Sequence, residues 1–329
     1  MRILVTGAAG FIGSHVAERL VRAGHRVVAL DDLSGGFVDN VPKGAEFVQG
    51  GIGDRTLAES LFEKHSFDAV YHLAAYAAEG LSHFIKRFNY ENNVGGGVNI
   101  LTCAINRGVK LFVFTSSIAV YGAAQCPMTE DMKPSPEDSY GISKYALEME
   151  LEATRLMFGM PYVIFRPHNV YGERQNVADR YRNVIGIFIR QALSGEPMTI
   201  FGDGRQTRAF SHIDEVAPVI ARAVETPGCW NQAFNIGADT PVEVIEIARQ
   251  VSAALDIPMN VRHLDARKEV VHAFADHSKA RRFFGPVESV PLEEGISRMV
   301  AWVRKHGIPK PTPTPPVEIF RNLPKSWQA

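Results

Sequence analysis

Two side chains four residues apart have the clearest potential for chemistry in this sequence. Tyr140 and Lys144 stand in the segment SYGISK, where the pattern predicts a helix over Tyr140–Phe158. Residues at i and i+4 lie on one face of a helix. A nearby ammonium favours the ionised phenol, so Lys144 is expected to lower the pKa of Tyr140 from its usual value of about 10. The pair therefore predicts a general base that acts near neutral pH.

A serine after a predicted buried strand could join this pair. The strand Leu111–Thr115 is followed by Ser116 and Ser117. Ligands of doubly wound sheets bind at the carboxyl ends of the strands, so we expect Ser117 to hydrogen-bond the same substrate hydroxyl as Tyr140. On its own, the Tyr-x-x-x-Lys spacing also describes an ordinary pair on a surface helix.

A glycine-rich turn near the N-terminus predicts a dinucleotide site. Gly7, Gly10 and Gly13 lie between a predicted strand, Ile3–Thr6, and a predicted helix, Phe11–Ala23. Such glycines allow a tight turn, the approach of a pyrophosphate and close packing of the helix on the sheet. The helix N-terminus adds partial positive charge. The strand on one side and the helix on the other are the context in which this motif indicates dinucleotide binding.

Two acidic residues favour one dinucleotide over the other. The second predicted strand, Arg26–Leu30, is followed by Asp31 and Asp32, about 20 residues after the glycines. A carboxylate here accepts the ribose hydroxyls and repels the additional phosphate of NADP. The sequence therefore predicts NAD rather than NADP, the alternative being an acidic loop beside an unrelated glycine turn.

The order of predicted elements places these residues on an α/β fold with a doubly wound parallel sheet. We expect residues 1–166, with a returning segment at about 209–236, to form the dinucleotide-binding domain, and residues 167–329 to form most of a smaller substrate-binding domain. The tail GIPKPTPTPPVEIF has five prolines and is expected to run extended over the surface. Further strands are predicted at Glu46–Gln49, Ala69–Leu73 and Tyr162–Arg166, and further helices at Phe88–Arg107, Asn183–Ser194, Ile213–Val224 and Val242–Leu255.

Composition narrows the class of protein. The 35 basic and 36 acidic residues nearly cancel, which disfavours a nucleic-acid partner. The three cysteines have no metal-ligand spacing, so no metal is predicted, and they do not form a disulfide framework. The sequence contains no apolar run near the roughly 18–20 residues of a membrane span and no recognisable signal peptide. We expect a soluble, cytoplasmic protein that does not bind membranes.

Ordered motifs along nearly the whole chain resemble the extended short-chain dehydrogenase/reductase family, and within it the NAD-dependent nucleotide-sugar epimerases of the UDP-glucose 4-epimerase type. The resemblance implies a Rossmann fold and a homodimer formed through a four-helix bundle, from helices Phe88–Arg107 and Ser143–Phe158. The matching segments are TGAAGFIGSH, HLAA, NNVGG, TSSIAVYG, SYGISK, FRPHNVYGERQ, IFGDGRQTRAFSHIDEVA, FNIG and ADHSKARRFFG.

The resemblance also implies roles for individual residues. Ser117, Tyr140 and Lys144 would be the catalytic triad: Tyr140 removes the proton of the C4 hydroxyl while NAD⁺ takes the hydride, the 4-keto sugar rotates, and hydride and proton return on the other face. The residues expected to hold NAD are Gly7, Gly10, Phe11, Ile12, Gly13, Asp31, Asp32, Ile52, Leu73, Ala74, Ala75, Asn93, Thr115, Tyr140, Lys144 and Pro167. Those expected to hold the nucleotide sugar are Glu79, Ser117, His168, Asn169, Asn183, Arg208, Arg267 and Glu269.

Departures from the family pattern bear on the reaction. Gly51 stands where many relatives have an aspartate that contacts adenine. Ile118 and Ala119 follow the catalytic serine, where related 4,6-dehydratases have an acidic pair and related decarboxylases have a glutamate. A plain epimerase is the enzyme that remains when those acid–base groups are absent, although His168 or Glu79 could supply such a group. His168 stands where relatives often have an aromatic residue and could simply pack against the sugar, and Glu79 could be an ordinary carboxylate at a helix start.

The sequence leaves several substrates open. Ala273 falls where relatives with a bulky tyrosine exclude N-acetyl sugars, which leaves room for a larger substituent. One of Arg174, Arg180 and Arg182 could bind a uronate carboxylate, although ordinary surface arginines explain them better. UDP-glucose or UDP-galactose is favoured, with UDP-glucuronate and UDP-GlcNAc as alternatives. An NADP-linked reductase and a non-catalytic NAD-sensing protein are the remaining hypotheses.

Overall fold

The computed structural model describes residues 1–266, 270–324 and 327. Its strands are β1 Arg2–Thr6, β2 Arg26–Asp31, β3 Glu46–Gln49, β4 Ala69–His72, β5 Leu111–Thr115, β6 Tyr162–Pro167, β7 Val170–Tyr171, β8 Met198–Phe201, β9 Thr207–Ala209, β10 Ser211–His212, β11 Gln232–Ile236, β12 Pro241–Glu243, β13 Val261–Leu264 and β14 His272–Ala273. Its α-helices are α1 Phe11–Arg22, α2 Arg55–Lys64, α3 Glu79–Ser82, α4 Lys86–Tyr90, α5 Gly96–Asn106, α6 Ser139–Phe158, α7 Val184–Leu193, α8 Ile213–Ala221, α9 Val244–Leu255, α10 Ser278–Phe284 and α11 Leu292–His306.

The central sheet has seven parallel strands in the order β11-β6-β5-β4-β1-β2-β3. The chain reverses direction across the sheet between β1 and β4, as in a doubly wound fold. This order confirms the predicted fold class. It also places the carboxyl ends of β1, β4, β5 and β6, and the residues that follow them, along one edge.

Alternating side chains of the strands build a core on each face of the sheet. Ile3 and Val5 of β1 point to the face covered by α1, α8 and α10. Leu4 points to the opposite face, which α2, α5 and α6 cover. Both faces are buried, which explains why the strands are continuous apolar runs rather than alternating ones.

A further core lies beyond β6. Helices α7, α9 and α11 pack with β8 around buried residues such as Phe188, Ile247 and Met299. The segment between these elements returns to the sheet, where α8 packs on α1 and β11 pairs with β6. The predicted division at residue 166 stays a prediction.

Three helix predictions were wrong in their bounds. The single helix expected over Phe88–Arg107 is interrupted by a π-helical turn, Glu91–Gly95, between α4 and α5. The helix expected over Ile213–Val224 is α-helical only to Ala221 and then tightens to a 3₁₀ turn. The helix expected from Val242 begins at Val244, because Pro241–Glu243 pairs as β12 with β9. Within the described ranges, no helix is long and apolar enough to cross a membrane.

Candidate active site

A large cleft follows the carboxyl ends of the strands and continues beside the further core. Its volume of about 1850 Å³ exceeds the roughly 300–1,000 Å³ of a pocket for one small ligand, so two ligands fit side by side. The predicted site residues that line it are Gly7, Gly10, Phe11, Ile12, Gly13, Asp31, Asp32, Ile52, Leu73, Ala74, Ala75, Glu79, Thr115, Ser117, Tyr140, Lys144, Pro167, His168, Asn169, Asn183 and Arg208. Arg267 and Glu269 lie outside the described residues.

The glycine turn forms one end of the cleft. An ideal Cβ built at Gly13 would lie 2.0 Å from the carbonyl oxygen of Gly7, so only glycine lets α1 approach β1 this closely. Gly7, Gly10 and Gly13 line this end of the cleft together with Phe11 and Ile12, at the N-terminus of α1. This glycine cradle fits the pyrophosphate of a dinucleotide.

Asp31 sits beside this cradle at the end of β2. Its carboxylate accepts hydrogen bonds from the backbone N–H of Ala9, at 3.0 Å, and of Leu33, at 2.8 Å. Burial raises the pKa of Asp31, and the two backbone hydrogen bonds oppose that shift. Each oxygen keeps a second lone pair, so the fixed carboxylate can still accept a ribose hydroxyl. Asp54, the carboxylate that follows Gly51 most closely, caps α2 by accepting the Leu57 N–H at 3.0 Å and is not among the cleft residues.

The start of α6 positions the catalytic pair. Asp138 caps the helix by accepting the Gly141 N–H at 2.8 Å. An ideal Cβ at Gly141 would lie 2.6 Å from the carbonyl oxygen of Ala119, so this glycine allows α6 to touch the turn after β5. That contact brings Tyr140 to Ser117, because Ser117 caps the same turn through the Ala119 N–H at 3.1 Å.

Tyr140 is buried and hydrogen-bonded to Ser117. Burial, followed by the charge of Glu79, raises the pKa of the phenol, while the Ser117 bond and the charge of Arg182 act in the opposite direction. The expected lowering of the Tyr140 pKa is therefore wrong for the protein groups taken alone. Lys144 lies farther from the phenol than the i,i+4 spacing suggested, with Nζ 5.7 Å from the ring centroid.

Lys144 is buried under the cleft floor. Its Nζ donates to the carbonyl oxygen of Thr115 at 2.8 Å and lies 4.8 Å from the ring centroid of Phe114. Burial lowers its pKa to about 7, and the negative charge of Glu148 raises it in part. The ammonium therefore gives up its proton close to neutral pH, so both of its charge states are accessible there.

A buried ion pair fixes α6 against the sheet behind this lysine. The Arg166 guanidinium of β6 makes a bidentate contact with Glu148, one turn beyond Lys144. Arg166 also donates to the Tyr121 hydroxyl at 2.7 Å, and Tyr121 donates to Asn235 of β11 at 2.9 Å. Because these groups are buried together, they tie the catalytic helix to two strands in one geometry.

Asn93 is absent from the described lining of the cleft. It is buried in the π-helical turn, accepts the Tyr76 N–H at 2.8 Å and donates to the Tyr76 carbonyl at 3.1 Å. The widened turn gives this side chain both backbone partners. In this geometry Asn93 fixes the loop after β4, and Tyr76 rather than Asn93 faces the cleft.

The predicted substrate residues line the other half of the cleft, and most are also tied into the fold. His168 is buried: its Nδ1 donates to the Ala209 carbonyl at 2.9 Å and its Nε2 lies 2.9 Å from Nε2 of His277. Burial and the neighbouring His277 lower its pKa to about 3, so it stays neutral. Both ring nitrogens of His168 are thus engaged by protein groups, and its packing against the sugar stays a prediction.

Asn169, Asn183 and Arg208 lie farther along the same half. Asn169 donates to the Ala209 carbonyl at 3.3 Å, and Asn183 caps α7 through the Ile185 N–H at 2.9 Å. Arg208 hydrogen-bonds the backbone carbonyl of Val271 at 2.9 Å. An arginine held in this way supplies, at this end of the cleft, the kind of charge that binds phosphate oxygens.

Sequence reasoning missed several side chains and contacts of the cleft. Arg182, anticipated only as a candidate for binding a uronate, faces Tyr76, with its guanidinium 5.4 Å from the ring centroid, and also pairs with Asp179 at 2.8 Å. Phe84 and Trp327 line the cleft as well. The helical and strand patterns carried no signal for them, because they come together only through loops distant in sequence.

Comparisons with a family model, with curated sequences and with solved structures all show similarity to nucleotide-sugar epimerases. The NAD dependent epimerase/dehydratase family matches residues 3–237. The putative UDP-glucose 4-epimerase of Methanocaldococcus jannaschii is 34% identical over 308 residues, covering 92% of this chain and 99% of its own. The structure of UDP-glucose 4-epimerase from Thermotoga maritima with UDP-glucose superposes with a TM-score of 0.88 at 35% identity, covering 93% and 99%. That of UDP-glucuronic acid 4-epimerase from Bacillus cereus, with UDP-glucuronic acid and NAD, gives 0.85 at 29% identity, covering 93% and 100%.

Proposed function

The chain belongs to the NAD dependent epimerase/dehydratase family, and on that premise we propose that it inverts C4 of a UDP-hexose, UDP-glucose or UDP-galactose, through a 4-keto intermediate. The observation that carries this proposal is the position of Ser117, Tyr140 and Lys144. They line the cleft between the glycine cradle and Arg208. A sugar linked to a diphosphate can therefore lie between a dinucleotide and the arginine.

The chain's own residues would manage the proton. The Ser117 hydroxyl orients Tyr140, whose phenolic oxygen takes the proton of the C4 hydroxyl and later returns it. The buried Lys144, with its pKa of about 7, favours the ionised phenol whenever it carries its proton. Bound NAD⁺ supplies a reversible hydride acceptor and a positive charge. Burial of Tyr140 keeps water away from the oxygen that exchanges the proton.

The charges around the cleft bear on the choice between a neutral hexose and a uronate. Arg182, which lines the cleft, pairs with Asp179 at 2.8 Å, and Arg174, which is not among the cleft residues, pairs with Glu18 at 2.8 Å. These two guanidinium charges are already compensated, so a second carboxylate gains less from them. Arg180 also lines the cleft and is exposed, so it is the arginine that would bind the carboxylate if UDP-glucuronate is the substrate.

The second candidate is UDP-GlcNAc, which one observation favours. Ala273 of β14 lines the cleft and stands opposite Arg208 in the β9–β14 register. A single methyl group at this position leaves space beside the arginine for an N-acetyl group.

The test uses purified protein without added cofactor. It is incubated separately with UDP-glucose, UDP-galactose, UDP-GlcNAc and UDP-glucuronate, and each reaction is followed by proton NMR. Conversion of glucose to galactose, without net cofactor reduction, is expected. Conversion of UDP-GlcNAc alone would transfer the proposal to the second candidate. No conversion of the four, even with added NAD⁺, would refute C4 epimerisation of these sugars.

We also propose that the protein is a homodimer through α5 and α6. The solvent side of α6 carries apolar side chains at seven-residue spacing: Ile142 is 40% exposed, Met149 52% and Leu156 70%. Such a stripe at coiled-coil spacing is typical of a helix that packs against another chain. Two copies of α5 and α6 would form the four-helix bundle that the resemblance implies.

Light scattering after gel filtration tests this proposal. Met149→Glu places a charge in the centre of the stripe and is expected to give monomers. Ile257→Glu is the matched control, since Ile257 is 39% exposed but lies after α9, away from the stripe. A wild-type monomer, or dimers in both variants, would contradict the proposal.

A further inference from the structure

The C-terminal strap, residues 307–324 with Trp327, runs along the surface without regular secondary structure as far as residue 320. It is nevertheless attached at defined points. Thr312 accepts a hydrogen bond from the side chain of Asn176 at 3.3 Å. The backbone N–H groups of Glu318 and Ile319 donate to the carbonyl of Phe84 at 2.8 and 3.1 Å. The strap therefore contacts both the loop after β7 and the loop before α4.

Glu318 provides the strongest of these attachments. Its two carboxylate oxygens accept the backbone N–H groups of Arg87, at 2.9 Å, and Phe88, at 3.0 Å, at the start of α4. These hydrogen bonds lower the pKa of Glu318. Charge-assisted bonds to otherwise unsatisfied helix amides are the type of contact that holds a chain segment in place.

Trp327 joins the two sides of the cleft. Its ring meets Phe84 edge to face at a centroid distance of 6.0 Å and Tyr181 at 5.1 Å. Phe84 belongs to the first wall, residues 76–88, and Tyr181 to the second wall, residues 179–183. Trp327 itself lines the cleft, so it spans the opening between the two walls.

Each wall contains a residue that acts on Tyr140. In the first wall, Ser82 accepts the backbone N–H of Tyr140 at 3.1 Å. In the second, Arg182 lies over the ring of Tyr76 and its charge acts on the Tyr140 phenol. A clasp that fixes the walls therefore also fixes the surroundings of Tyr140.

We propose that the C-terminal strap is a clasp that closes the sugar part of the cleft, with Trp327 as a positioning residue that keeps the oxidised sugar inside. The inference rests on the proposed function. When C4 is oxidised, its hydride passes to the cofactor and its hydroxyl proton to Tyr140, leaving a ketone. If that ketone leaves the cleft, the reduced cofactor has nothing to return its hydride to, and the enzyme is trapped. An enclosed cleft prevents this loss.

The first test measures trapping per turnover. Trp327→Ala is compared with Trp327→Phe, which keeps an aromatic ring, and with Phe320→Ala, which changes a strap residue that is 72% exposed. Epimerised product is counted by NMR and reduced cofactor by its near-ultraviolet absorbance. Trp327→Ala is expected to trap the enzyme about tenfold more often per product molecule, the order expected when two aromatic contacts are lost. The other two variants should match wild type, and equal trapping in all four proteins would overturn the inference.

The second test does not depend on activity. Hydrogen exchange of the full-length wild-type protein reports the amides of Glu318, Ile319, Arg87 and Phe88. Protection of these amides, reduced at Glu318 and Ile319 in Trp327→Ala, is expected. Exchange at free-peptide rates in wild type would show an undocked strap and overturn the inference, whether or not a sugar is converted. Protected amides without conversion of any sugar would instead refute the proposed function, and the inference with it.

Discussion

Replacing Lys144 with methionine should remove a pH dependence of folding stability that the buried lysine imposes. The side chain is 4% exposed and burial lowers its pKa from the usual 10.5 to about 7. In the window between these values the unfolded chain binds more protons than the folded one. The stability of the cofactor-free protein should therefore rise with pH across the window. At pH values below the window both states hold the proton, and folding bears the full free-energy cost of burying the charge.

The size of this effect follows from the shift. At about 1.4 kcal/mol per pKa unit, three and a half units correspond to about 5 kcal/mol between the ends of the window. Between pH 7, where the folded-state lysine is half protonated, and pH 9 the contribution of Lys144 should change by about 2 kcal/mol. Methionine has a similar length and no charge, so Lys144→Met loses the bond to the Thr115 carbonyl, an offset of about 1 kcal/mol that does not change with pH.

The measurement is urea unfolding of wild type and Lys144→Met at several pH values from 6 to 9.5, both proteins freed of cofactor. The quantity of interest is the difference between their free energies of unfolding, because other titrating groups cancel in it. This difference should increase in favour of wild type as the pH rises. Tyr140→Phe is the control, since it changes the neighbouring phenol and keeps the lysine, and should retain the wild-type slope.

A difference that stays flat from pH 7 to pH 9 would refute the reasoning. It would mean that Lys144 keeps an ordinary pKa despite its burial. A difference that falls with rising pH would mean that the folded state binds the proton more tightly than the unfolded chain does. Either result would also remove Lys144 as a group that exchanges its proton near neutral pH.

Three other substitutions test separate parts of the site. Tyr140→Phe should lower epimerisation by about 10²–10⁴-fold, as expected for loss of a general base, while UDP affinity measured by calorimetry stays unchanged. Gly13→Ala should abolish retention of NAD through gel filtration, because its Cβ would overlap the Gly7 carbonyl; Gly53→Ala, whose Cβ meets nothing within 4 Å, should retain it. Arg166→Met should cost about 3–5 kcal/mol in urea unfolding by leaving Glu148 buried without its partner. Adding Glu148→Met should recover part of that loss, and additive losses would contradict a coupled pair.

The fold and the local motifs were accessible from the sequence because they depend on short-range patterns. Apolar runs bounded by glycine and proline identified β1 to β6 nearly to the residue. The π-helical turn could not be predicted, because its Asn93 is bonded to Tyr76, 17 residues earlier, and no pattern within the helix indicates that contact. Likewise, Pro241–Glu243 reads as the start of a helix until its pairing with β9 is known.

The electrostatics of the site could not be obtained from spacing. An i,i+4 pair predicts contact between Tyr140 and Lys144, but the side chain of Lys144 turns to the Thr115 carbonyl, and burial governs both pKa values. The ion pair of Arg166 and Glu148 could not be predicted from residue spacing either. Their pairing depends on how α6 lies on the sheet.

The sequence by itself determined the family, the doubly wound sheet, NAD as cofactor and the motif residues, since each rests on residue types at fixed separations along the chain. Only the tertiary structure decided what surrounds those residues. It placed Lys144 in a low-dielectric site, used Asn93 to hold a loop, and carried the proline-rich tail back to the cleft at Trp327. Burial and long-range contacts depend on the packing of distant segments, and no local pattern in the chain encodes them.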